Sequence, residues 1–294
     1  MWILPLESDI TILLSPESSI TCDRRGQGDL HIQASMACYE ALAERGISAK
    51  LEQTQDFNWA QSTGKAILLA NMITIPDVLV DSIKVFLSHG NKMIVFGPTG
   101  YYNEKEDCMF MNFPFKNEFG AEPKEIQTLA DRFQISSLDG EYTFEANKIF
   151  GTIRNYSALP ICEEKGNVCG IRNKTGSSEV VWIPSSIDLG AWKYGNTAFS
   201  QFLADELALY SKAQPFVFSG KTNKVGMQTM HNGQTYLTVI TNGMDKVNAV
   251  KLINKYNKKA MIVYCTDTSR KEINIKEEIQ LTPGECLVLI WGNQ

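Results

Sequence analysis

Histidine is scarce in this chain, with three residues among 294. His31 falls in the first turn of a predicted helix, His89 in the last turn of another, and His231 in a predicted hairpin turn. A histidine-based catalytic triad or a zinc site needs several such groups close together, and the sequence places no suitable partner near any of them. We therefore expect no metal site and no cofactor.

Long apolar runs, CxxC pairs and low-complexity tracts are absent as well. No stretch approaches the ~18 apolar residues of a membrane-spanning helix, and residues 1–16 lack the basic region and cleavage site of a signal peptide. The seven cysteines are an odd number and lie mostly in apolar runs, which is typical of buried free thiols in a reducing compartment. These features predict a cytoplasmic protein with no membrane partner.

Positive charge is in deficit over most of the chain. Residues 214–294 contain ten Lys or Arg and six Asp or Glu, a net charge of +4, which leaves −9 for residues 1–213. Because nucleic-acid binding needs clustered cations, this balance predicts no nucleic-acid partner. Lysines at 255, 258 and 259 are typical of a solvated turn, and a specific anion site is the alternative.

The first two thirds of the chain contain alternating strand and helix patterns. Short apolar strands and amphipathic helices alternate with the spacing of βαβ units, which predicts an α/β domain. Such units favour a mostly parallel, doubly wound sheet of the flavodoxin or class I glutamine amidotransferase kind. The predicted strands are 9–15, 47–51, 66–70, 92–96, 142–150, 168–173 and 179–183; the predicted helices are 29–46, 76–90, 123–133 and 197–210; and 16–28 and 101–121 are predicted loops.

A change of pattern at Pro215 predicts a domain boundary. The segments 225–230 and 235–241 flank an Asn-Gly turn and read as a hairpin, and 260–265 and 286–291 are further strands. No helical pattern of useful length appears in this region. We therefore expect two domains, an α/β domain over 1–213 and a small antiparallel β-sandwich over 214–294.

The unit over 65–100 ends in Gly97-Pro98-Thr99-Gly100, a turn at which amidotransferase-like folds carry a nucleophilic cysteine. Here Thr99 stands at that turn. Cys108 lies among acidic residues, which would raise the pKa of its thiol and weaken it as a nucleophile. A degenerate cysteine hydrolase that uses Cys108 or Cys22 stays as a minor alternative.

The sequence also shows no pair of carboxylates of the kind that glycosidases use in catalysis. Glu7, Asp9, Glu17 and Asp188 are scattered candidates, and residues 1–213 contain too few β/α repeats for a (β/α)8 barrel. No catalytic residue is predicted, so the chain alone is expected to be non-catalytic.

Candidate ligand contacts lie in loops that follow predicted strands, where open α/β sheets bind their ligands. Arg24 and Asp29 flank a glycine-containing loop that lacks the G-x-G-x-x-G spacing, so a structural role for this loop is the alternative. Aromatic side chains could stack on sugar rings, although such residues are more often core or rim residues. The remaining candidates are Thr99, Tyr101, Tyr102, Asn103 and Trp192.

Several runs together resemble a known arrangement of domains: 36–49 (MACYEALAERGISA), 66–71 (AILLAN), 75–100 (IPDVLVDSIKVFLSHGNKMIVFGPTG), 179–184 (EVVWIP) and 281–291 (LTPGECLVLIW). They look like the amidotransferase-like trimerisation domain of family 42 β-galactosidases and related glycoside hydrolases, followed by their small C-terminal β domain. The catalytic barrel that precedes these domains in that family, and that carries both carboxylates, is not in this sequence.

The resemblance implies a non-catalytic accessory or oligomerisation region of a β-galactosidase-like glycoside hydrolase, which helps to wall a carbohydrate site. The implied partners are further copies of the chain in a homo-oligomer, a catalytic barrel domain, and carbohydrate. A stand-alone carbohydrate-binding or sensing protein is the alternative from another class.

Overall fold

The protein, seen here in a computed structural model, combines a mixed sheet with helices and several small antiparallel sheets. Residues 4–5, 8–211, 214–219, 222, 224–232, 235–255, 258–270 and 272–292 are described. The described helices are α1 Pro16–Arg24, α2 Leu30–Ala43, α3 Asp77–Ser88, α4 Lys116–Phe119, α5 Ile187–Tyr194 and α6 Thr197–Glu206. The chain divides into two compact units, one formed by 9–38 and 50–202, the other by 1–8, 39–49 and 203–294.

The strands of the first unit include a seven-stranded sheet, in the order β10, β11, β12, β5, β4, β2, β3. The five strands from β12 to β3 are parallel, and β10 and β11 add antiparallel pairs at one edge. The pairs β6–β9 and β7–β8 form two further antiparallel sheets. The bounds are β2 Ile10–Leu14, β3 Lys50–Gln53, β4 Ala66–Ala70, β5 Lys92–Phe96, β6 Ala121–Thr128, β7 Phe133–Ser136, β8 Thr143–Ala146, β9 Ile149–Asn155, β10 Leu159–Glu164, β11 Asn167–Thr175 and β12 Ser178–Ile183.

Burial explains the sequences of the central strands. Every residue of β4 and β5 is buried, as in parallel strands that are covered on both faces. Lys92, the first residue of β5, is buried too, and its charge is compensated by Glu179, whose Oε1 lies 3.1 Å from the Lys92 Nζ. Arg172 reaches the same carboxylate at 2.8 Å. The buried ammonium group of Lys92 thus has a carboxylate partner beside it, as buried charges in proteins generally do.

The aromatic stretch after β5 covers this unit's core. Phe113 stacks on Trp182 with ring centroids 5.3 Å apart, and Phe119 meets the same indole edge-on at 5.1 Å. The helix α3 buries Leu79 and Phe86 in the same cluster. Residues of the 101–121 stretch therefore cover apolar surface of this unit.

The second unit contains the antiparallel strands of the C-terminal region. One five-stranded sheet has the order β1, β14, β15, β20, β18, and β13–β17 and β16–β19 pair separately. Its core includes Trp291, which stacks on Phe216 at 4.0 Å and donates its indole N–H to Thr238 Oγ1 at 2.9 Å. The bounds are β1 Leu4–Pro5, β13 Phe216–Phe218, β14 Val225–His231, β15 Tyr236–Asn242, β16 Asn248–Val250, β17 Leu252–Asn254, β18 Lys259–Cys265, β19 Ile279–Leu281 and β20 Cys286–Gly292.

The predicted hairpin is confirmed in register, from Val225 opposite Asn242 to His231 opposite Tyr236. Residues 233 and 234 of its turn lie outside the described residues.

Three local predictions are wrong. The strand predicted over 142–150 is two strands, β8 and β9, which pair with β7 and β6 respectively. Residues 16–24 form the helix α1 instead of a loop, because Ser15 caps it by accepting a hydrogen bond from the Ser18 N–H and Pro16 occupies its first turn. The predicted helix over 123–133 is replaced by β6 and the start of β7, since β6 pairs along its length with β9. Pairing with a strand distant in the chain outweighs the local helical pattern.

Candidate functional site

The candidate site lies at the carboxyl edge of the parallel strands. In the sheet, β2 lies between β3 and β4. The chain passes from β2 to β3 on one side and then crosses to β4 on the other side of β2, so the direction of strand order reverses between β2 and β4. In open α/β sheets, ligands bind in the crevice outside the strand ends at such a reversal. Four segments follow these strand ends: the start of α1, residues 71–74, residues 97–103 and residues 184–188.

His31 joins two of these strand ends from within α2. It is fully buried. Its Nε2 accepts a hydrogen bond from the Ser15 N–H at 2.8 Å, and its Nδ1 lies 2.8 Å from the Ala70 carbonyl oxygen. Because the carbonyl can only accept, Nδ1 carries the proton and the ring is neutral. Burial lowers the pKa of His31 to about 4, so the ring is neutral near pH 7. Its two hydrogen bonds brace the ends of β2 and β4.

A buried polar cluster of Asn71, Ser186 and Asp188 lies past the ends of β4 and β12. Asn71 Nδ2 donates to Asp188 Oδ2 at 3.0 Å, and Ser186 Oγ donates to Asn71 Oδ1 at 2.6 Å. Asp188 Oδ1 also accepts the Leu189 N–H at 2.8 Å. Burial raises the pKa of Asp188 to about 7, and the hydrogen bonds from Leu189 and Asn71 partly oppose that rise.

The backbone around this cluster is unusual. Asn71 has a φ of 47°, a left-handed conformation that Asn tolerates better than most residues. Gly97 has a φ of 68°, and a Cβ at Gly97 would overlap the Asn71 side-chain amide. Only glycine therefore fits opposite Asn71. Asn71 and Ser186 were not predicted from the sequence. Asn71 directly follows the buried strand β4, and Ser186 lies shortly after the end of β12.

Thr99, in the turn that follows β5, is 2% exposed. Its hydroxyl donates to the Phe96 carbonyl oxygen at 2.9 Å and accepts the Met72 N–H at 3.2 Å. Both bonds tie the side chain to the backbone, so Thr99 closes the turn after β5. Thr99 was predicted to contact a ligand, and the structure shows that its hydroxyl is buried and hydrogen-bonded to the backbone.

Tyr101 is also buried, at 1% exposure. Its ring packs edge-on against Phe110 at 4.6 Å, and within the described part of the chain its hydroxyl has no hydrogen-bond partner. Burial raises the pKa of Tyr101. The structure thus places this predicted stacking residue in the core, with its ring against other aromatic side chains.

Arg24, Tyr102 and Asn103 come together on the surface. Glu106 accepts from Arg24 Nη1 at 3.0 Å, and its other oxygen lies 3.9 Å from Arg25 Nη2. The Arg25 guanidinium lies 3.7 Å from the Tyr102 ring centroid. The end of α1 and the loop after β5 are therefore linked by charge and by a cation–π contact. Arg25 was not among the predicted residues, although it adjoins Arg24.

Asn103 organises the loop that holds Glu106. Its Oδ1 accepts the N–H groups of Lys105 and Asp107 at 3.0 and 2.9 Å. Asp29 is exposed and accepts from Gln33 Nε2 at 2.7 Å, within the first turn of α2. Trp192, in α5, is 46% exposed and is the most accessible of the predicted aromatic residues.

Cysteine and metal chemistry find little support in the described residues. All seven cysteines are free, four of them buried, and Cys108 is exposed. Burial raises the pKa of the Cys22 thiol, the opposite of what a nucleophile needs. Within the described ranges, no group of three or more His, Cys, Asp or Glu side chains could hold a metal ion. None of the described helices is long and apolar enough to cross a membrane.

The chain is similar to known proteins in its fold. No protein-family model and no curated sequence matches the chain. Solved structures do match it: the mixed sheet and the antiparallel strands together have the fold of one region of GH42 β-galactosidases.

Three of these structures show how far the likeness extends. A catalytic variant of Gan42B from G. stearothermophilus has 16% identity and a TM-score of 0.73, over 98% of this chain and 40% of its own. The cold-adapted β-galactosidase from Rahnella sp. R3 has 16% identity and a TM-score of 0.73, over 97% and 41%. The enzyme from Bacillus circulans sp. alkalophilus has 12% identity and a TM-score of 0.71, over 97% and 42%.

The chain therefore spans about two fifths of the length of these β-galactosidases. The resemblance inferred from the sequence is confirmed at the level of the fold, across nearly the whole chain.

Proposed function

We propose that this chain is a non-catalytic region of a β-galactosidase-like glycoside hydrolase, which mediates oligomerisation and helps to wall a carbohydrate site beside a catalytic barrel. The observation that carries the proposal is the match of the whole fold to one region of GH42 β-galactosidases. An amidotransferase-like, doubly wound domain followed by a β-sandwich, divided near residue 213, is the architecture that this proposal assigns.

The geometry at the strand ends supports a structural role for this edge. The Thr99 hydroxyl is bonded to the backbone, and the Asp188 carboxyl is bonded to Asn71 and Leu189. A retaining glycosidase would need two carboxyl groups about 5 Å apart that face a sugar. Asp188 instead lies fully buried among Asn71 and Ser186.

A domain exchange tests the proposal. The matching region of Gan42B is replaced by this chain, and oligomer size and hydrolysis of an aryl β-galactoside are measured. The expected result is an assembled, active chimera, whereas the isolated chain gives no turnover. The control is the same chimera with the catalytic carboxylate of the barrel substituted. It should assemble but show no hydrolysis.

Turnover by the isolated chain that a single Asp or Glu substitution abolishes would overturn the proposal. A chimera that stays monomeric and inactive would also contradict it.

The second candidate is a stand-alone carbohydrate-binding or sensing protein. It is favoured by the contact between the end of α1 and the loop after β5, made by Arg24 and Glu106, at the edge where α/β sheets bind ligands. Calorimetry against mono- and oligosaccharides tests it, with Trp192→Ala and Arg24→Ala as variants. Absence of heat up to the millimolar range would exclude this candidate.

A further inference from the structure

Two buried cysteines lie on the neighbouring strands β10 and β11. Cys162, in β10, is 1% exposed, and Cys169, in β11, is fully buried. In the antiparallel register Cys162 is opposite Gly170 and Glu163 is opposite Val168, so Cys169 is the extra residue of a β-bulge. The bulge therefore places Cys169 and Gly170 together opposite Cys162.

The packing of β11 shows to which face of the sheet these residues are directed. Ile171 belongs to the core cluster that includes Trp182, and Val168 packs against the same cluster. Residues three apart lie on opposite faces of a regular strand, so the bulge between them brings both to one face. Cys169 is buried but is not among the described members of that cluster, and it is directed with Gly170 to the opposite face.

The side chain of Cys162 lies on that same opposite face. A Cβ added at Gly170 would lie 3.0 Å from the Cys162 Cβ and 3.1 Å from its Sγ. Because glycine has no side chain, residue 170 leaves the space between the two thiols open. Burial raises the pKa of the Cys169 thiol, and the neighbouring Cys162 adds to that rise, so the two sulfur groups are close enough to interact.

The spacing of the two strands suits a covalent bond between these residues. Directly opposed residues of an antiparallel pair have Cα atoms about 4.5–5.5 Å apart, and both residues of a bulge face the same partner residue. Disulfides join residues whose Cα atoms are about 4.4–6.8 Å apart. The register therefore brings Cys169 within disulfide reach of Cys162.

We propose that Cys162 and Cys169 form a reversible oxidation site, at which a low-molecular-weight disulfide such as oxidised glutathione converts the two thiols into one disulfide. The bond ties β10, the edge strand of the seven-stranded sheet, to its neighbour β11. This site is independent of the proposed function.

The oxidation takes place by two thiol–disulfide exchanges. One cysteine, as its thiolate, attacks a sulfur of oxidised glutathione, and one glutathione leaves as a thiolate. The second cysteine attacks the protein sulfur of this mixed disulfide, and the second glutathione leaves. The two cysteines lose two electrons and two protons, which the oxidant gains. Because burial raises the pKa of Cys162 to about 12, its thiolate is scarce near neutral pH, and we expect oxidation to be slow.

Peptide mapping of the full chain tests the proposal. The folded protein is equilibrated in glutathione redox buffers, trapped with acid and N-ethylmaleimide, and digested with trypsin without reductant. Cleavage after Arg154, Lys165 and Arg172 separates the two cysteines, so the disulfide is detected as peptide 155–165 joined to peptide 166–172. We expect this joined pair, and we expect dithiothreitol to separate it.

The same buffers measure the effective concentration of one thiol toward the other, in the folded chain and in urea. A disulfide that fits the fold is itself favoured by folding, so this value should be about tenfold or more higher in the folded chain. Recovery of both peptides unlinked from the folded chain, or an effective concentration no higher than in urea, would overturn the proposal. Both outcomes are read from the unmodified chain and need no variant to fold.

Cys169→Ala removes the pair, and Cys38→Ala, at another fully buried cysteine, is its matched control. In Cys169→Ala, peptide 155–165 should carry N-ethylmaleimide or a single glutathione. The control should form the joined peptides to within about twofold of the unmodified chain. Equal loss of the joined peptides in both variants would contradict the assignment of the bond to Cys162 and Cys169.

Discussion

At the scale of single residues, the carboxyl edge of the sheet is held together by buried polar groups that satisfy one another. Asn71 adopts a left-handed conformation and bonds to both Ser186 and Asp188. A buried network of this kind is costly to break, because each lost bond leaves an unsatisfied group behind. Two predictions follow from its geometry.

Gly97→Ala should destabilise the fold by roughly 2–4 kcal/mol, since the added Cβ would both strain a positive φ and displace the Asn71 amide. Gly140→Ala is the matched control. Gly140 has a φ of 77° with no atom within 4 Å of the added Cβ, so about 1 kcal/mol is expected. Denaturant unfolding measures both, and equal losses would show that the Asn71 contact contributes nothing.

Asp188→Asn should change how stability depends on pH. Because burial raises the pKa of Asp188 from 3.8 to about 7, the folded chain holds a proton that the unfolded chain releases between those values. This residue's contribution is therefore fully present below about pH 4 and is lost as the pH rises toward 7. Relative to the unmodified chain, the variant should gain up to about 3 kcal/mol between pH 4.5 and 7.

The exposed Asp56→Asn is the control for the Asp188 measurement. Unfolding free energies of the three proteins at several pH values supply the comparison. A difference between Asp188→Asn and the unmodified chain that stays constant with pH would contradict the prediction.

At the scale of elements, prediction from sequence succeeded where a pattern reflects burial. The runs 66–70 and 92–96 are apolar throughout and form β4 and β5 with the predicted bounds. The periodic apolar face of 76–90 likewise becomes α3. These elements are encoded locally, because burial on both faces or on one face determines which residue types each position accepts.

Elements fixed by distant partners were not predictable in this way. A helix is predicted over 123–133, yet residues 121–128 form β6, since β9 supplies the hydrogen bonds of this strand. The same limit applies to the site: Arg24 and Asn103 were proposed from their loops, but no local signal pairs Arg24 with Glu106, 82 residues away. Burial of Thr99 and Tyr101 was equally invisible, because a polar or aromatic residue after a strand is compatible with either surface or core.

The short helix α5, which was not predicted, depends on close packing at Gly190. A Cβ at this position would overlap the Glu145 carbonyl of β8. Gly190→Ala should therefore cost about 2 kcal/mol or more, although alanine is the better helix former. Gly292→Ala, where no atom lies within 4 Å of the added Cβ, should change stability by less than about 0.5 kcal/mol. Thermal unfolding of both variants tests this, and a stabilised Gly190→Ala would contradict it.

At the scale of the whole molecule, the chain corresponds to about 40% of a GH42 β-galactosidase. The proposed function therefore predicts that the native polypeptide in its source cells is much larger than 32.9 kDa. Immunodetection with an antibody against this chain, followed by intact-mass measurement, tests that expectation. A native band at 32.9 kDa would favour the stand-alone binding protein instead.

The neutral histidine that braces β2 and β4 has a consequence for the entire molecule's tolerance of acid. Between about pH 6.5 and 4 the unfolded chain takes up a proton at His31 that the folded chain refuses, so acidification weakens the fold. Over nearly the same interval Asp188 acts in the opposite direction, and both contributions are about 3–4 kcal/mol. The two buried groups therefore act against each other, so the stability of the fold changes less between about pH 4 and 7 than either group alone would make it change.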